Sequence, residues 1–211
     1  MNLHEPMIRT EHPPHATTYK KKGLFLFRLL CKVFLFTFIF ILSFHLPNLI
    51  PAFNHREQTI KEILEVLDRH SMDLADVTKA EIAEVIYEEA LRHKHDPKFI
   101  LALIAIESSF QNWSVSEQGA KGLMQIMPYV AESIARELGI EWSGDQILFN
   151  PYFNIRIGIY YLSRLLLDFD DIGIALTAYN YGPTYVKGLV QRKEKIPSNY
   201  YRKFLTAYQN I

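Results

Sequence analysis

The sequence contains a single cysteine, Cys31, and no histidine beyond His95. One cysteine excludes an intramolecular disulfide and a cysteine-cluster metal site. Because residues 96–211 contain neither residue type, that part of the chain cannot build a Ser-His-Asp triad, a Cys-His dyad or a histidine-liganded zinc site from its own side chains. We therefore expect no catalytic metal and no other cofactor.

The sequence also lacks an excess of either charge. It has 23 basic and 23 acidic side chains, which give a formal net charge of zero. A neutral chain is not expected to bind nucleic acid through bulk charge. Glycine is scarce, with 9 residues in 211, and 49% of the residues are hydrophobic. This composition indicates one packed domain with appendages and not a disordered chain.

The N-terminal part combines a basic tail with an apolar run. Residues 1–22 show no periodicity and end in three lysines, which predicts a cytoplasmic tail. Residues 33–55 contain no Asp, Glu, Lys or Arg. We predict a transmembrane signal anchor within residues 23–50, in the bilayer through residues 24–46, with the chain beyond it in the periplasm or outside. A cleaved signal peptide and a buried core helix are the alternatives.

Pro47 and Pro51 are predicted to end the membrane span. Residues 51–77 follow, and within them apolar side chains recur at helical spacing between charged ones. These apolar positions are Ile60, Ile63, Leu64 and Leu67. The pattern predicts an amphipathic stalk helix, which could instead pack on the domain or contact a protein of the secretion or cell-envelope machinery.

Residues 78–211 are predicted to be mostly α-helical, because helix-start signals recur and strand alternation does not. Thr78 and Glu81 form a capping-box pattern, and Asp96 precedes a proline at the first helical position. Further helices are predicted to end at Gly139, to begin at Asn150-Pro151 and at Asp170-Asp171, and to begin at Pro197.

Glu107 is the first chemically unusual residue. It follows the apolar run Phe99–Ile106, on a helix predicted to be central to the core. A desolvated carboxyl has a raised pKa, which suits a general acid near neutral pH. Considered alone, Glu107 could equally mark the point where the helix emerges into solvent.

Four ordered motifs decide between these interpretations. They are Glu107-Ser108-x-Phe110, Gly119-Ala120-x-Gly122-Leu123-Met124-Gln125-Ile126-Met127-Pro128, Asn150-Pro151-x-x-Asn154-Ile155-x-x-Gly158-x-x-Tyr161-Leu162 and Ala178-Tyr179-Asn180-x-Gly182-Pro183. Together they resemble the soluble lytic murein transglycosylase family, the SLT domain, from about Ile82 to at least Val186. The resemblance implies a lysozyme-like fold and an enzyme that cleaves peptidoglycan.

The resemblance also implies roles at the matching positions. Glu107 matches the family's sole catalytic acid, and Ser116 matches a hydroxyl that helps to hold the N-acetyl region of the sugar. Gln125 and Met127 match residues that line the cleft. Tyr179 matches a tyrosine near the acid, and Asn180 belongs to the same motif.

The sequence departs from the family pattern at three places. Asn150 stands where Asp is common, which should matter little because both residues cap helices. Tyr181 stands where Ala is common and adds bulk near the cleft. Ser198-Asn199-Tyr200 replaces a Glu-Thr pair that many relatives carry before the last helix, so any help that this glutamate gives in substrate binding is missing.

The resemblance implies a lytic transglycosylase that cuts the β-1,4 bond between N-acetylmuramic acid and N-acetylglucosamine and leaves 1,6-anhydro ends. Together with the predicted N-terminal anchor, this predicts a membrane-anchored enzyme. Three alternatives stay open. They are a hydrolytic lysozyme of the same fold, a catalytically idle peptidoglycan-binding scaffold, and a dedicated wall-opening part of a secretion or conjugation machine.

Overall fold

A computed structural model describes the backbone of residues 16–74 and 77–211. Side chains are described from residue 25 onward, except at residues 42, 44–53, 75 and 76. Of the predicted basic tail, residues 1–22, the first 15 residues lie outside the described part of the chain.

The described residues form helices joined by loops. The bounds are α1 Ala16–Asp68, α2 Lys79–Arg92, α3 Pro97–Ser108, α4 Pro128–Leu138, a 3-10 turn Asp145–Phe149, α5 Pro151–Phe169, α6 Ile172–Tyr181, α7 Pro183–Gln191 and α8 Asn199–Asn210. The predicted mostly α fold is confirmed for this part of the chain.

The predicted helix starts agree with the observed caps. The Thr78 hydroxyl accepts a hydrogen bond from the Glu81 N–H, and the Glu81 carboxylate accepts one from the Thr78 N–H. Asp96 accepts from the N–H of Lys98, and Asn150 accepts from the N–H of Phe153. Asn150 therefore performs the capping that an aspartate would perform, as its residue type predicts.

The helical backbone of α1 continues through positions 47 and 51, because a proline removes one helical hydrogen bond and does not always end the helix. The predicted end of the membrane span at these positions stays a prediction. α6 ends at Tyr181 with Gly182 as its cap, and α7, a helix that the sequence did not predict, begins at Pro183. Pro183 occupies the first helical position of α7, where its missing N–H carries no penalty.

The predicted membrane segment is only partly described, because the side chains of residues 23, 24, 42 and 44–50 fall outside the description. The side chains of residues 25–41 lie on α1 and are all exposed. Among the described residues, no helix combines the length and the apolar character that a membrane crossing requires.

Backbone contacts divide the chain into two compact units, Met1–His55 and Arg56–Ile211. Within the second unit, the apolar side of the predicted stalk packs into the core, where Ile63 and Leu67 are 2% and 0% exposed. Arg56 forms ion pairs with Glu84 and Glu88 on α2. Residues 56–68 are therefore part of the domain, as the packing alternative for this segment implies.

The second unit is built around α3. Its residues from Ile100 to Ile104 are buried, and α2 and α8 both pack against it. α5 packs against α2 and α6, and α6 also contacts α7 and α8. Because α3 is apolar on all sides and ends at Ser108, its last turn carries Glu107 from the core to the edge of the domain.

Candidate active site

Glu107 lies in the last turn of α3 with its carboxyl largely buried. Burial raises the pKa of Glu107 to about 7, while a hydrogen bond from the Tyr200 hydroxyl acts in the opposite direction. The Tyr200 hydroxyl donates to Oε1 of Glu107. The carboxyl can therefore carry a proton near neutral pH, as a general acid must.

Sequence reasoning did not identify Tyr200 as a site residue. It named Tyr200 only within Ser198-Asn199-Tyr200, the stretch that departs from the family pattern. The contact forms because α8 packs on α3, which brings together residues far apart in the chain. No local sequence pattern marks such a partner. The one signal was that Tyr200 follows Ser198-Asn199, where the sequence departs from the Glu-Thr pair of the family.

The backbone after Glu107 turns through an unusual conformation. Ser109 and Phe110 have φ values of 52° and 64°, which are uncommon for residues other than glycine. The Phe110 side chain is fully buried and its ring stacks on His70 with centroids 4.2 Å apart. This packing holds the strained turn and so fixes where the chain leaves Glu107.

Tyr179 links the acid to the neighbouring loop. Its hydroxyl donates a hydrogen bond of 2.8 Å to the backbone carbonyl of Met124. Burial, followed by the nearby Glu107 carboxylate and Tyr161, holds the pKa of Tyr179 well above its usual value. Tyr179 therefore stays protonated and acts as a hydrogen-bond donor close to Glu107.

The loop between α3 and α4 is closed by its own side chains. The Ser116 hydroxyl accepts a hydrogen bond of 3.0 Å from the Ala120 N–H. The Gln125 amide donates to the carbonyls of Ser114 and Gly122, at 3.1 and 2.9 Å. Both of these predicted site residues thus hold the loop in shape.

Asn154 of α5 fixes the same loop from the other side. Its Oδ1 accepts from the Met124 N–H at 2.7 Å, and its Nδ2 donates to the carbonyls of Lys121 and Leu148 at 2.9 and 3.0 Å. Asn154 is fully buried, so all three bonds lie in the interior. This accounts for an asparagine in the third motif, which the sequence alone did not explain.

A pocket of about 220 Å³ lies between this loop and α6. It brings together four of the predicted site residues, Gln125, Met127, Tyr179 and Asn180. Glu107 and Ser116 do not line this pocket, and Tyr179 connects it to the acid. None of the residues lining it, all within the described part of the chain, is an aspartate or a glutamate.

Comparison with known proteins agrees with the motifs. The profile of the transglycosylase SLT domain matches residues 84–201, more than half of the chain. Membrane-bound lytic murein transglycosylase F of Desulfosudis oleivorans is 36% identical over 114 residues, which cover 51% of this chain and 23% of that protein. Endo-type membrane-bound lytic murein transglycosylase A of Klebsiella pneumoniae is 43% identical over 74 residues, which cover 33% of this chain and 36% of that protein.

The chain thus spans less than a quarter of the length of the first of these relatives. Among solved structures, the 70 kDa soluble lytic transglycosylase of Escherichia coli matches with a TM-score of 0.54 and 24% identity, over 74% of this chain and 28% of that one. This likeness supports the fold, and the profile match covers all four motifs from Glu107 to Pro183. The chain therefore belongs to the transglycosylase SLT domain family.

Proposed function

We propose that this protein is a peptidoglycan lytic transglycosylase that cleaves the β-1,4 bond between N-acetylmuramic acid and N-acetylglucosamine. The observation that carries the proposal is a largely buried carboxyl, Glu107, whose pKa is raised to about 7 near a pocket that is lined by no aspartate or glutamate. Membership of the SLT domain family and the lytic murein transglycosylase names of the relatives support it.

In the proposed reaction Glu107 serves twice. The protonated carboxyl donates its proton to the glycosidic oxygen as the bond from that oxygen to muramyl C1 breaks. The carboxylate then accepts the proton of the muramyl 6-hydroxyl while that oxygen bonds to C1. No water is consumed, and Glu107 ends protonated, ready for the next cycle. The acetamido group of the substrate shields the cationic centre, so a second protein carboxylate is not required.

The other predicted site residues fall into two proposed roles. Met127, Tyr179 and Asn180 offer apolar, aromatic and amide surfaces to a sugar in the pocket. Ser116 and Gln125 hold the loop that forms one wall, with the free lone pairs of the hydroxyl and the amide oxygen available to the N-acetyl region.

The proposal is tested by incubating the purified full-length protein, in detergent, with isolated sacculi. Release of soluble muropeptides that increases with time and with protein concentration is expected. Retention of the protein on sacculi without release would favour the alternative of a non-catalytic scaffold.

We further propose that residues 23–50 anchor the domain to the plasma membrane, with residues 56–211 in the periplasm or outside. Residues 25–41 are all exposed and mostly apolar, with Arg28 and Lys32 as the charged exceptions, and this supports the anchor. Some relatives are also described as membrane-bound. External protease on spheroplasts should digest the chain from Arg56 onward and spare residues 1–22. A mature N-terminus near Pro51 would contradict the anchor and leave the enzyme proposal intact.

The hydrogen bond from Tyr200 predicts a shift in the pH profile. Because this bond lowers the pKa of Glu107, Tyr200→Phe should raise that pKa above its present value of about 7. A general acid must be protonated to act, so kcat/KM of the wild type should fall above about pH 7 and that of the variant should fall only at higher pH. Initial rates on sacculi at a series of pH values above and below 7 measure the alkaline limb of the wild type and that of the variant.

Tyr201→Phe is the matched control for this prediction, since Tyr201 neighbours Tyr200 on α8 and makes no hydrogen bond to Glu107. Its alkaline limb should coincide with that of the wild type. An unchanged limb in Tyr200→Phe, or one at lower pH, would contradict the role given to this hydrogen bond.

A further inference from the structure

The turn that follows Glu107 is held by a segment outside the residues that the family profile matches. Four consecutive residues of the turn each contact one of four consecutive residues that precede α2. The pairs are Phe110 with His70, Gln111 with Ser71, Asn112 with Met72 and Trp113 with Asp73. We call residues 70–73 the brace. Because the profile match begins at residue 84, the brace is an addition of this chain to the matched domain.

Three of the four contacts are hydrogen bonds to backbone carbonyls of the brace. The side chains of Gln111 and Trp113 each donate a bond of 2.8 Å, through the amide and the indole N–H, and the backbone N–H of Asn112 donates one of 3.4 Å. The fourth contact is the stacking of Phe110 on His70. Since the acceptors are successive carbonyls, the two segments cannot slide past each other without breaking these bonds together.

The conformation of the turn explains why it needs such support. Ser109 and Phe110 have φ values of 52° and 64°, and a residue other than glycine adopts this conformation at a cost in free energy. Such strain persists only where the surrounding structure determines it. The Ser109 side chain is exposed, so the contacts that hold the turn come from the residues after it. If they were lost, the turn could relax, and the last turn of α3 with Glu107 would move with it.

The brace acts at a distance from the sugar. Neither the brace residues nor their four partners line the site pocket. We propose that the brace positions Glu107 for proton transfer, with Gln111 and Trp113 as positioning residues that act through the turn. This inference rests on the proposed function. Loss of the two side-chain bonds should therefore slow the chemical step and leave substrate binding unchanged.

The test compares the full-length wild type with the double variant Gln111→Leu, Trp113→Phe. Leucine removes the amide donor, while phenylalanine removes the indole N–H and keeps a ring against Phe149, whose centroid lies 5.0 Å from that of Trp113. On a concentration series of sacculi, kcat should fall about 10- to 100-fold, the scale of a displaced catalytic group, and KM should stay unchanged.

Two further variants control this comparison. Gln111→Arg places an N–H the same number of bonds from the backbone, so it should keep the wild-type kcat. Gln191→Leu removes an exposed glutamine of α7 whose side chain makes no hydrogen bond within the described part of the chain, and it should also keep the wild-type kcat.

A second readout does not depend on activity. The carbon-13 resonance of the Glu107 carboxyl, assigned by its absence in Glu107→Gln, reports the titration of this group directly. Burial raises the pKa of Glu107 to about 7, so a turn that opens to water should lower this pKa in the double variant. A variant that is only less stable would titrate as the wild type does.

The proposal is overturned if the folded double variant keeps either the wild-type kcat or the wild-type titration of Glu107, or if Gln191→Leu loses as much activity. Circular dichroism establishes that each variant is folded, and the two single variants replace the double variant if it does not fold. Absence of sacculus digestion by the wild type would contradict the proposed activity, and the carboxyl titration would then test the brace by itself.

Discussion

Replacing Glu107 by glutamine should remove almost all release of muropeptides from sacculi. Gln keeps the shape of the side chain and can still accept the hydrogen bond from Tyr200, but it cannot donate a carboxyl proton. Loss of a positioned general acid lowers the rate by about 10²–10⁴-fold. The rate of soluble muropeptide release per mole of protein measures this loss, and release at the wild-type rate would exclude Glu107 as the acid.

The pH dependence of unfolding provides the control for that variant. An exposed glutamate carboxyl has a pKa of 4.5, and burial in the fold raises the pKa of Glu107 to about 7. The folded state therefore binds this proton more tightly, so the contribution of Glu107 to the free energy of unfolding should decrease as pH rises from about 4.5 to about 7. The whole decrease is on the order of 3 kcal/mol at 1.4 kcal/mol per pKa unit.

Glu107→Gln has no such proton to lose. Its stability relative to the wild type should increase across this pH interval and level off above it, which thermal unfolding at a series of pH values measures. A variant less stable than the wild type at pH 8 would contradict the raised pKa of Glu107, and a variant already unfolded at the assay temperature would owe its inactivity to unfolding.

Gly122→Ala should be the most damaging single methyl addition in the candidate site. Gly122 has a φ of 79°, and a Cβ there would lie 2.3 Å from Nδ2 of Asn154 and 2.4 Å from the carbonyl oxygen of Leu148. The contact is with two partners of a buried hydrogen bond, so neither can withdraw without breaking it. Strain, overpacking and the lost bond together predict a loss of about 3–5 kcal/mol of stability.

Gly119→Ala is the matched control for this change. Gly119 lies in the same loop with a φ of 89°, and a Cβ there would meet no atom within 4 Å. Only the conformational penalty of about 1 kcal/mol applies. Denaturant unfolding of both variants separates the two effects, and equal losses would show that the contact with Asn154 is not the cause.

The helix starts and the candidate acid Glu107 could be proposed from sequence because their signals are local. Thr78 with Glu81, Asp96 with Pro97, and Asn150 with Pro151 each satisfy their first-turn N–H groups within a few residues. Glu107 was identifiable because a carboxylate ended an apolar helix and because four motifs surrounded it.

The partners of these residues could not be predicted because they depend on packing between distant segments. Tyr200 reaches Glu107 only through the contact of α8 with α3, and Asn154 reaches the loop of Gly122 from another helix. The helix that begins at Pro183 was missed because a Gly-Pro pair is as typical of the end of one helix as of the start of the next.

The hydrolytic alternative requires a group that activates water. Glu117, on the loop that follows Glu107, is exposed and does not line the site pocket. Asp168 is paired with Lys187. With no carboxylate among the residues that line the pocket, we propose the muramyl 6-hydroxyl as the nucleophile, since attack within one molecule has a large effective concentration.

Mass spectrometry of muropeptides from sacculi digested by the full-length protein tests the central claim most directly. The proposed reaction consumes no water, so its products should be lighter by one water than those of a lysozyme and should resist borohydride reduction at the muramyl end. Muropeptides that carry reducing muramic acid ends would show that the enzyme is a hydrolase, and Glu117 would then be the first residue to replace.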